Sequence, residues 1–159
     1  MSFVDAIGEC FFNFMNFRDR ASRAEYWWWV LFYCVVVIIA VILDLVVFGI
    51  GNIMPFFIVT YLALIVPSLT VTVRRLHDTN RSGWWLLLYV ALSLLTVIAV
   101  MATGANDPST PVSGAGAALI LVPAILTLAS LLLLLVFMFL PSNPGNNRYG
   151  PNRYAGDKY

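Results

Sequence analysis

The sequence predicts an all-α membrane protein with four transmembrane helices, an N-terminal interfacial amphipathic helix and both termini in the cytoplasm. Three observations support this fold class. Of 159 residues, 61% are hydrophobic and 11% are charged, whereas a soluble domain carries about a quarter charged residues. Four apolar runs are long enough to cross a hydrocarbon core, which needs roughly 20 helical residues. All nine lysines and arginines lie outside those runs.

The first segment, residues 1–25, is predicted to form the amphipathic helix and a basic flank. Asp5, Glu9 and Asn13 recur every four residues and therefore share one helical face, opposite a face of aromatic and aliphatic side chains. This pattern predicts a helix lying flat in the membrane interface; packing across the ends of the helix bundle is the alternative. Ser22 and Glu25 predict a capping box where the first span begins.

The second segment, residues 26–140, is predicted to be a four-helix transmembrane bundle. Helices are expected because an isolated strand in lipid would leave its backbone groups unpaired. Hydroxyl residues at helical spacing, such as Ser68 and Thr72, predict helix–helix contacts. Glycine- and proline-rich stretches separate the spans, which are placed at about 26–50, 53–73, 84–102 and 117–140.

The basic residues fall into three groups, which four spans place on one side of the membrane. These groups are Arg18, Arg20 and Arg23; Arg74, Arg75 and Arg81; and Arg148, Arg153 and Lys158. The positive-inside rule assigns that side to the cytoplasm. Tryptophans that open the first and third spans are predicted interface anchors: Trp27, Trp28, Trp29, Trp84 and Trp85.

Three sequence blocks resemble the signatures of one bacterial family. They are FRDRASRAEYWWW at 17–29, RRLHDTNRSGWW at 74–85 and PGNNRYGPN at 144–152. In this order they resemble the domain-of-unknown-function 805 family of small inner-membrane proteins. The resemblance implies a multi-pass protein of the bacterial inner membrane, and it carries no known reaction.

A polar cluster is predicted where the first span begins and the second ends. Adjacent His77 and Asp78 would not face each other on a helix, and a single histidine without nearby cysteines is a poor metal site. No catalytic residue, metal or cofactor is therefore expected. The favoured role is structural, through ion pairs that fix the heights of the helices, with binding of lipid phosphate or a partner as the alternative. The candidates are Arg20, Arg23, Glu25, Arg74, Arg75, His77 and Asp78.

Asp44 is the second candidate, because it is the ionisable residue inside a predicted span. It lies about 27 Å along the helix from Tyr26, towards the outer interface. An acid within a membrane is by default a hypothesis of function, here the handling of protons or cations.

The favoured function is that of a non-catalytic accessory, stabilising or assembly subunit of a larger membrane complex, or a scaffold that associates with itself. Its expected partners are membrane lipids and membrane proteins, not nucleic acid. The alternative is a small oligomeric transporter or channel that uses Asp44 and the polar helix faces. The basic-aromatic tail at 141–159 is expected to lie along anionic headgroups or to dock on a partner.

Overall fold

A computed structural model describes residues 1–107, 109 and 111–151, which form five α-helices. The four longest helices are long and apolar enough to cross a membrane. The all-helical class and the four candidate spans are thereby confirmed. The helices are α1 (Phe3–Phe12), α2 (Arg23–Phe48), α3 (Pro55–Asp78), α4 (Trp84–Thr103) and α5 (Gly114–Phe139).

The chain divides into two compact units, and the first contains α1, α2, α3 and the described part of the tail, residues 141–151. In this unit α2 packs against α3, and α1 packs against both. Its core includes Cys10 of α1, Trp29 of α2 and Val71 of α3. The unit therefore joins the N-terminal helix to the first two candidate spans.

The second unit is a hairpin of α4 and α5. Trp85 near the start of α4 meets Phe137 near the end of α5 edge to face, with ring centroids 5.5 Å apart. Farther along the pair, the hydroxyl oxygens of Thr96 and Thr127 are 3.3 Å apart. Two of the hydroxyl residues expected at helix contacts thus meet across this pair.

The second candidate span ends later than the sequence predicts, at Asp78 rather than near residue 73. The segment from Arg74 to Asp78 is therefore the last turn of α3 and not part of the gap between the spans predicted at 53–73 and 84–102, which is a correction. Helix can continue through these polar residues because opposite charges from α2 and from α3 itself neutralise them. Residues 79–83 form the actual connection, in which Asn80 has a φ of 58°.

The N-terminal ends of α1 and α2 have side-chain caps. The Ser22 hydroxyl accepts the Glu25 backbone N–H at 3.1 Å, which is the first half of the expected capping box. A full capping box joins Ser2 and Asp5 at the start of α1, and this box was not predicted.

Candidate functional site

Ion pairs are buried between α2, α3 and the segment before α2. Glu25 and Arg74 approach to 2.7 Å, and Arg20 and Asp78 approach to 2.9 Å. Arg75 also pairs with Asp78. None of these five side chains is more than 3% exposed. We call them the buried charge cluster.

Helix geometry explains how the charge cluster forms. Arg75 and Asp78 are three residues apart and so share a face of α3. Glu25 lies in the first turn of α2, where the helix dipole favours a negative charge. The Ala21 backbone N–H donates to the Arg74 carbonyl at 3.1 Å, which holds the start of α2 beside the end of α3.

The described part of the tail folds onto this cluster through Arg20. The Arg20 guanidinium donates to the carbonyls of Asn143 at 2.6 Å, Gly145 at 2.8 Å and Gly150 at 3.4 Å. In return, the Asn143 backbone N–H donates to the Asp78 carbonyl at 3.1 Å. Arg20 therefore binds the end of α3 and the tail at once.

His77 holds the next part of the tail. Its ring stacks on Tyr149 with centroids 3.7 Å apart and planes 5° from parallel. The Asn147 side-chain amide donates to the His77 carbonyl at 2.9 Å. The tail was expected on headgroups or on a partner, which stays a prediction; within residues 141–151, Asn143, Asn147 and Tyr149 contact the end of α3. Arg153, Lys158, Tyr154 and Tyr159, also part of that expectation, lie outside the described residues.

The structure brings together five of the seven residues predicted for the polar cluster. His77 lies on the same turn of α3 but contacts the tail instead of the ion pairs. Arg23 is half-buried in the first turn of α2. Because Arg20 and Arg75 share Asp78, neither is presented to the surface as a free cation.

Cys10 was not singled out from the sequence, and it lies next to the cluster. Its thiol is 3.9 Å from a Glu25 carboxylate oxygen. Burial and the nearby negative charge of Glu25 raise the pKa of the Cys10 thiol to about 12, while the Arg74 guanidinium acts in the opposite direction. The four-residue spacing from Ala6, also buried, marks the face that α1 turns towards α2 and α3.

Asp44 has a specific structural position at the other end of α2. Its two carboxylate oxygens accept the backbone N–H groups of Phe56 at 3.0 Å and Phe57 at 2.8 Å. These groups belong to the first turn of α3, which has no side-chain cap from its own N-cap residue, Met54. Asp44 therefore caps α3 from a neighbouring helix and satisfies two N–H groups that a helix start leaves unpaired.

The five predicted anchor tryptophans differ in environment. Trp29 is 1% exposed and donates its indole N–H to the Ser68 hydroxyl at 3.1 Å, so it packs between α2 and α3 and is not an outward anchor. Trp28 and Trp85 are each 38% exposed, and Trp84 is 75% exposed. Consecutive residues point about 100° apart on a helix, so three adjacent tryptophans cannot share one direction.

No metal-binding group stands out at either site. Across residues 1–107, 109 and 111–151, no three His, Cys, Asp or Glu side chains are grouped so that they could hold a metal ion. The carboxylates of Glu25, Asp78 and Asp44 are engaged by arginines or by backbone N–H groups. Among the described residues, Nε and Nη2 of Arg74 and Nδ1 of His77 are buried without a hydrogen-bond partner.

Comparison with known proteins gives a family and two relatives. The sequence model of the family described as "Protein of unknown function (DUF805)" matches residues 14–151. This range contains both sides of the buried charge cluster and the described tail, whereas α1 precedes it. No solved structure matches the chain.

Both relatives are inner membrane proteins of Escherichia coli strain K12. The chain is 36% identical to inner membrane protein YhaI over 78 residues, which are 48% of this chain and 64% of YhaI. It is 28% identical to inner membrane protein YhaH over 145 residues, which are 88% of each protein. The match to YhaI therefore spans less than two thirds of that relative.

Proposed function

This chain belongs to the DUF805 family, and we propose that it is a non-catalytic accessory, stabilising or assembly subunit of a larger complex in the bacterial inner membrane. The observation that carries the proposal is the engagement of its ionisable groups. Glu25, Arg74 and Asp78 are buried in ion pairs, and Asp44 caps a helix. Carboxylates engaged in this way stabilise the fold and are not free to bind a substrate.

The apolar surface of the long helices supports a docking role. In the second unit, Ile98 of α4 is 62% exposed and Ile125 of α5 is 63% exposed. Buried residues in this hairpin are few, and in α4 Ala99 is the buried one. The outer faces therefore offer a surface that transmembrane helices of a partner can cover by close packing.

We place both termini in the cytoplasm. Arg20, which precedes α2, contacts both Asp78 at the end of α3 and the tail. This contact supports placing all three on the same side of the membrane. The basic residues of these segments favour the cytoplasmic side.

We place α1 in the membrane interface. Phe3 and Phe11 are about 12 Å apart along α1, yet they contact the adjacent residues Trp28 and Trp29 of α2. The helix therefore runs across α2 rather than along it. Val4 is 74% exposed, which gives α1 an apolar side chain to insert among lipids.

Photo-crosslinking in native membranes tests the proposed subunit role. A photoreactive residue at the exposed position Ile125 is expected to give a discrete adduct with one membrane protein. The matched control is Leu134 of the same helix, which is 7% exposed and should give none. Deletion of this chain should then reduce the assembled complex of the captured protein. If Ile125 captures lipid alone, the proposal fails.

The alternative of a transporter or channel depends on Asp44. Both oxygens of its carboxylate accept backbone N–H groups, and this favours a structural role. A carboxylate that carried ions would instead need to exchange its partners during transport. The effect of an Asp44 substitution on flux separates the two functions.

A further inference from the structure

One flank of α1 is apolar and exposed. Val4 and Phe11 are two helical turns apart and point in nearly the same direction from the helix axis, whereas Glu9 points to the opposite side. Val4 is 74% exposed and Phe11 is 44% exposed, and Glu9 is exposed as well. α1 therefore presents an apolar flank and a polar flank on either side of the face that it packs against α2 and α3.

The apolar flank faces the interior of the membrane along α2. The Phe11 ring contacts the rings of Trp29 and Phe32, with centroids 5.2 Å and 6.0 Å away. Phe32 lies about 10 Å farther along α2 than Glu25 of the buried charge cluster. Because α2 is a candidate span that begins beside this cluster, Phe11 reaches from the cluster towards the middle of the bilayer.

A contact on α3 gives a similar depth for the turn that follows α1. The Thr70 hydroxyl donates to the Phe14 carbonyl at 2.6 Å. Thr70 lies about 6 Å farther from the end of α3 than Arg74 does, and Arg74 pairs with Glu25. Contacts on two different helices therefore place the end of α1 and the turn after it deeper than the ion pairs.

Two apolar side chains project outward from this depth. Phe12, the last residue of α1, is 88% exposed, and Met15 in the following turn is 67% exposed. Exposed apolar side chains are driven out of water, and beside two spans at this depth the surroundings are acyl chains. Phe12 and Met15 are therefore positioned to contact lipid.

We infer that α1 and the turn after it form a wedge in the leaflet at the charge-cluster end of the spans, and that the acyl chains of this leaflet cover Val4, Phe12 and Met15. The polar flank with Glu9 faces the headgroups. The inference rests on the proposed placement of α1 in the membrane interface and adds the depth and direction of its insertion. A helix in this orientation adds volume to one leaflet alone, so the wedge fits a leaflet whose acyl packing leaves room for it.

Spin labels on single cysteines measure the depth of the wedge. The full-length chain with Cys10→Ala and Cys34→Ala is reconstituted into liposomes of phosphatidylethanolamine and phosphatidylglycerol. Phe12→Cys carries the label on the wedge, and Glu9→Cys is the matched control on the polar flank of the same helix. The depth of each label follows from its collision rates with molecular oxygen, which concentrates among acyl chains, and with a water-soluble nickel complex.

A label on α2 calibrates the depth scale. Leu31 is 47% exposed and lies about 9 Å farther along α2 than Glu25, so Leu31→Cys provides a lipid-facing reference. The Phe12→Cys label should lie within one helical turn, about 5 Å, of that reference and should collide mainly with oxygen. The Glu9→Cys label should be shallower and collide mainly with the nickel complex. If Phe12→Cys does not fold, Met15→Cys takes its place.

Three results would overturn the inference, and they differ in what they imply for α1. Labels at Phe12 and Glu9 that share one headgroup depth would leave α1 in the interface without a wedge. Free collision of both labels with the nickel complex would remove the interfacial placement as well. A Phe12 label that neither reagent reaches would show that a second copy of the chain, and not lipid, covers this surface.

Discussion

Arg20 and Asp78 are 58 residues apart in the sequence and form an ion pair of 2.9 Å with neither side chain more than 1% exposed. Their contact joins the segment before α2 to the last turn of α3. Arg20 simultaneously binds backbone carbonyls of the tail. The pair therefore connects segments that lie far apart in the chain, and its removal should affect all of them.

Asp78→Asn should destabilise the first unit strongly. The substitution leaves Arg20 and Arg75 buried without their shared counter-charge, and breaking a buried pair in this way costs about 3–5 kcal/mol. The thermal unfolding midpoint of the detergent-solubilised chain should fall well below that of Asp107→Asn. Asp107 is an exposed loop residue that bonds to Ser109, so its variant is the control. Equal midpoints would mean that the pair adds little to stability.

Arg20→Ala should release the tail from α3. The variant loses the donor to the Asn143, Gly145 and Gly150 carbonyls, so trypsin should cleave after Arg148 faster than in the wild type. Added guanidinium ion at non-denaturing concentration should slow this cleavage, because it can replace the missing side chain between Asp78 and the carbonyls. In Arg18→Ala, trypsin should cleave after Arg148 at the wild-type rate, both without and with added guanidinium ion. Unchanged cleavage in Arg20→Ala would show that other contacts hold the tail.

Asp44→Ala should destabilise the chain without creating or abolishing transport. It leaves the partly buried N–H groups of Phe56 and Phe57 without their acceptor, at a cost of about 1–3 kcal/mol. Asp44→Asn keeps one acceptor oxygen, so its unfolding midpoint should lie between that of Asp44→Ala and that of the wild type. Midpoints are compared with proton and cation flux in liposomes. A wild-type flux that Asp44→Asn abolishes at unchanged stability would favour the transporter.

The sequence predicts the class and the number of spans because the length of an apolar run has a direct physical meaning in a bilayer. It also places the charge cluster near the ends of two spans, since antiparallel helices bring those ends together. It does not specify the pairing: Arg74 binds Glu25 whereas the adjacent Arg75 binds Asp78. That choice depends on the rotation of each helix.

Other features depend on contacts that composition does not encode. The proline- and asparagine-rich tail predicts turns, but its docking on His77 depends on where the end of α3 lies. The role of Asp44 had a usable signal, because α3 starts at Pro55 without a polar N-cap residue and Asp44 is the nearest preceding acid. The sequence carries no signal that Trp29 is buried, since three consecutive tryptophans look equivalent until the orientation of the helix is known.

The pH dependence of stability should reveal the burial of Cys10. Its pKa is raised from 9.0 to about 12 in the folded chain, so between these values the unfolded chain has lost the thiol proton while the folded chain keeps it. The folded state then binds more protons, and its stability falls as pH rises. The contribution of the Cys10 thiol to stability is fully present below pH 9 and is lost as the pH rises from 9 towards about 12.

Cys10→Ala isolates this contribution from other groups that titrate in the alkaline range. Its unfolding midpoint should fall less steeply than that of the wild type between pH 9 and pH 11, while Cys34→Ala, at an exposed position, should follow the wild-type slope. Alkylation gives a second measurement. Because the Cys10 thiol is buried and protonated, a maleimide should modify it only on unfolding. Rapid modification of folded Cys10 at neutral pH would show that α1 leaves its place beside Glu25 and exposes the charge cluster.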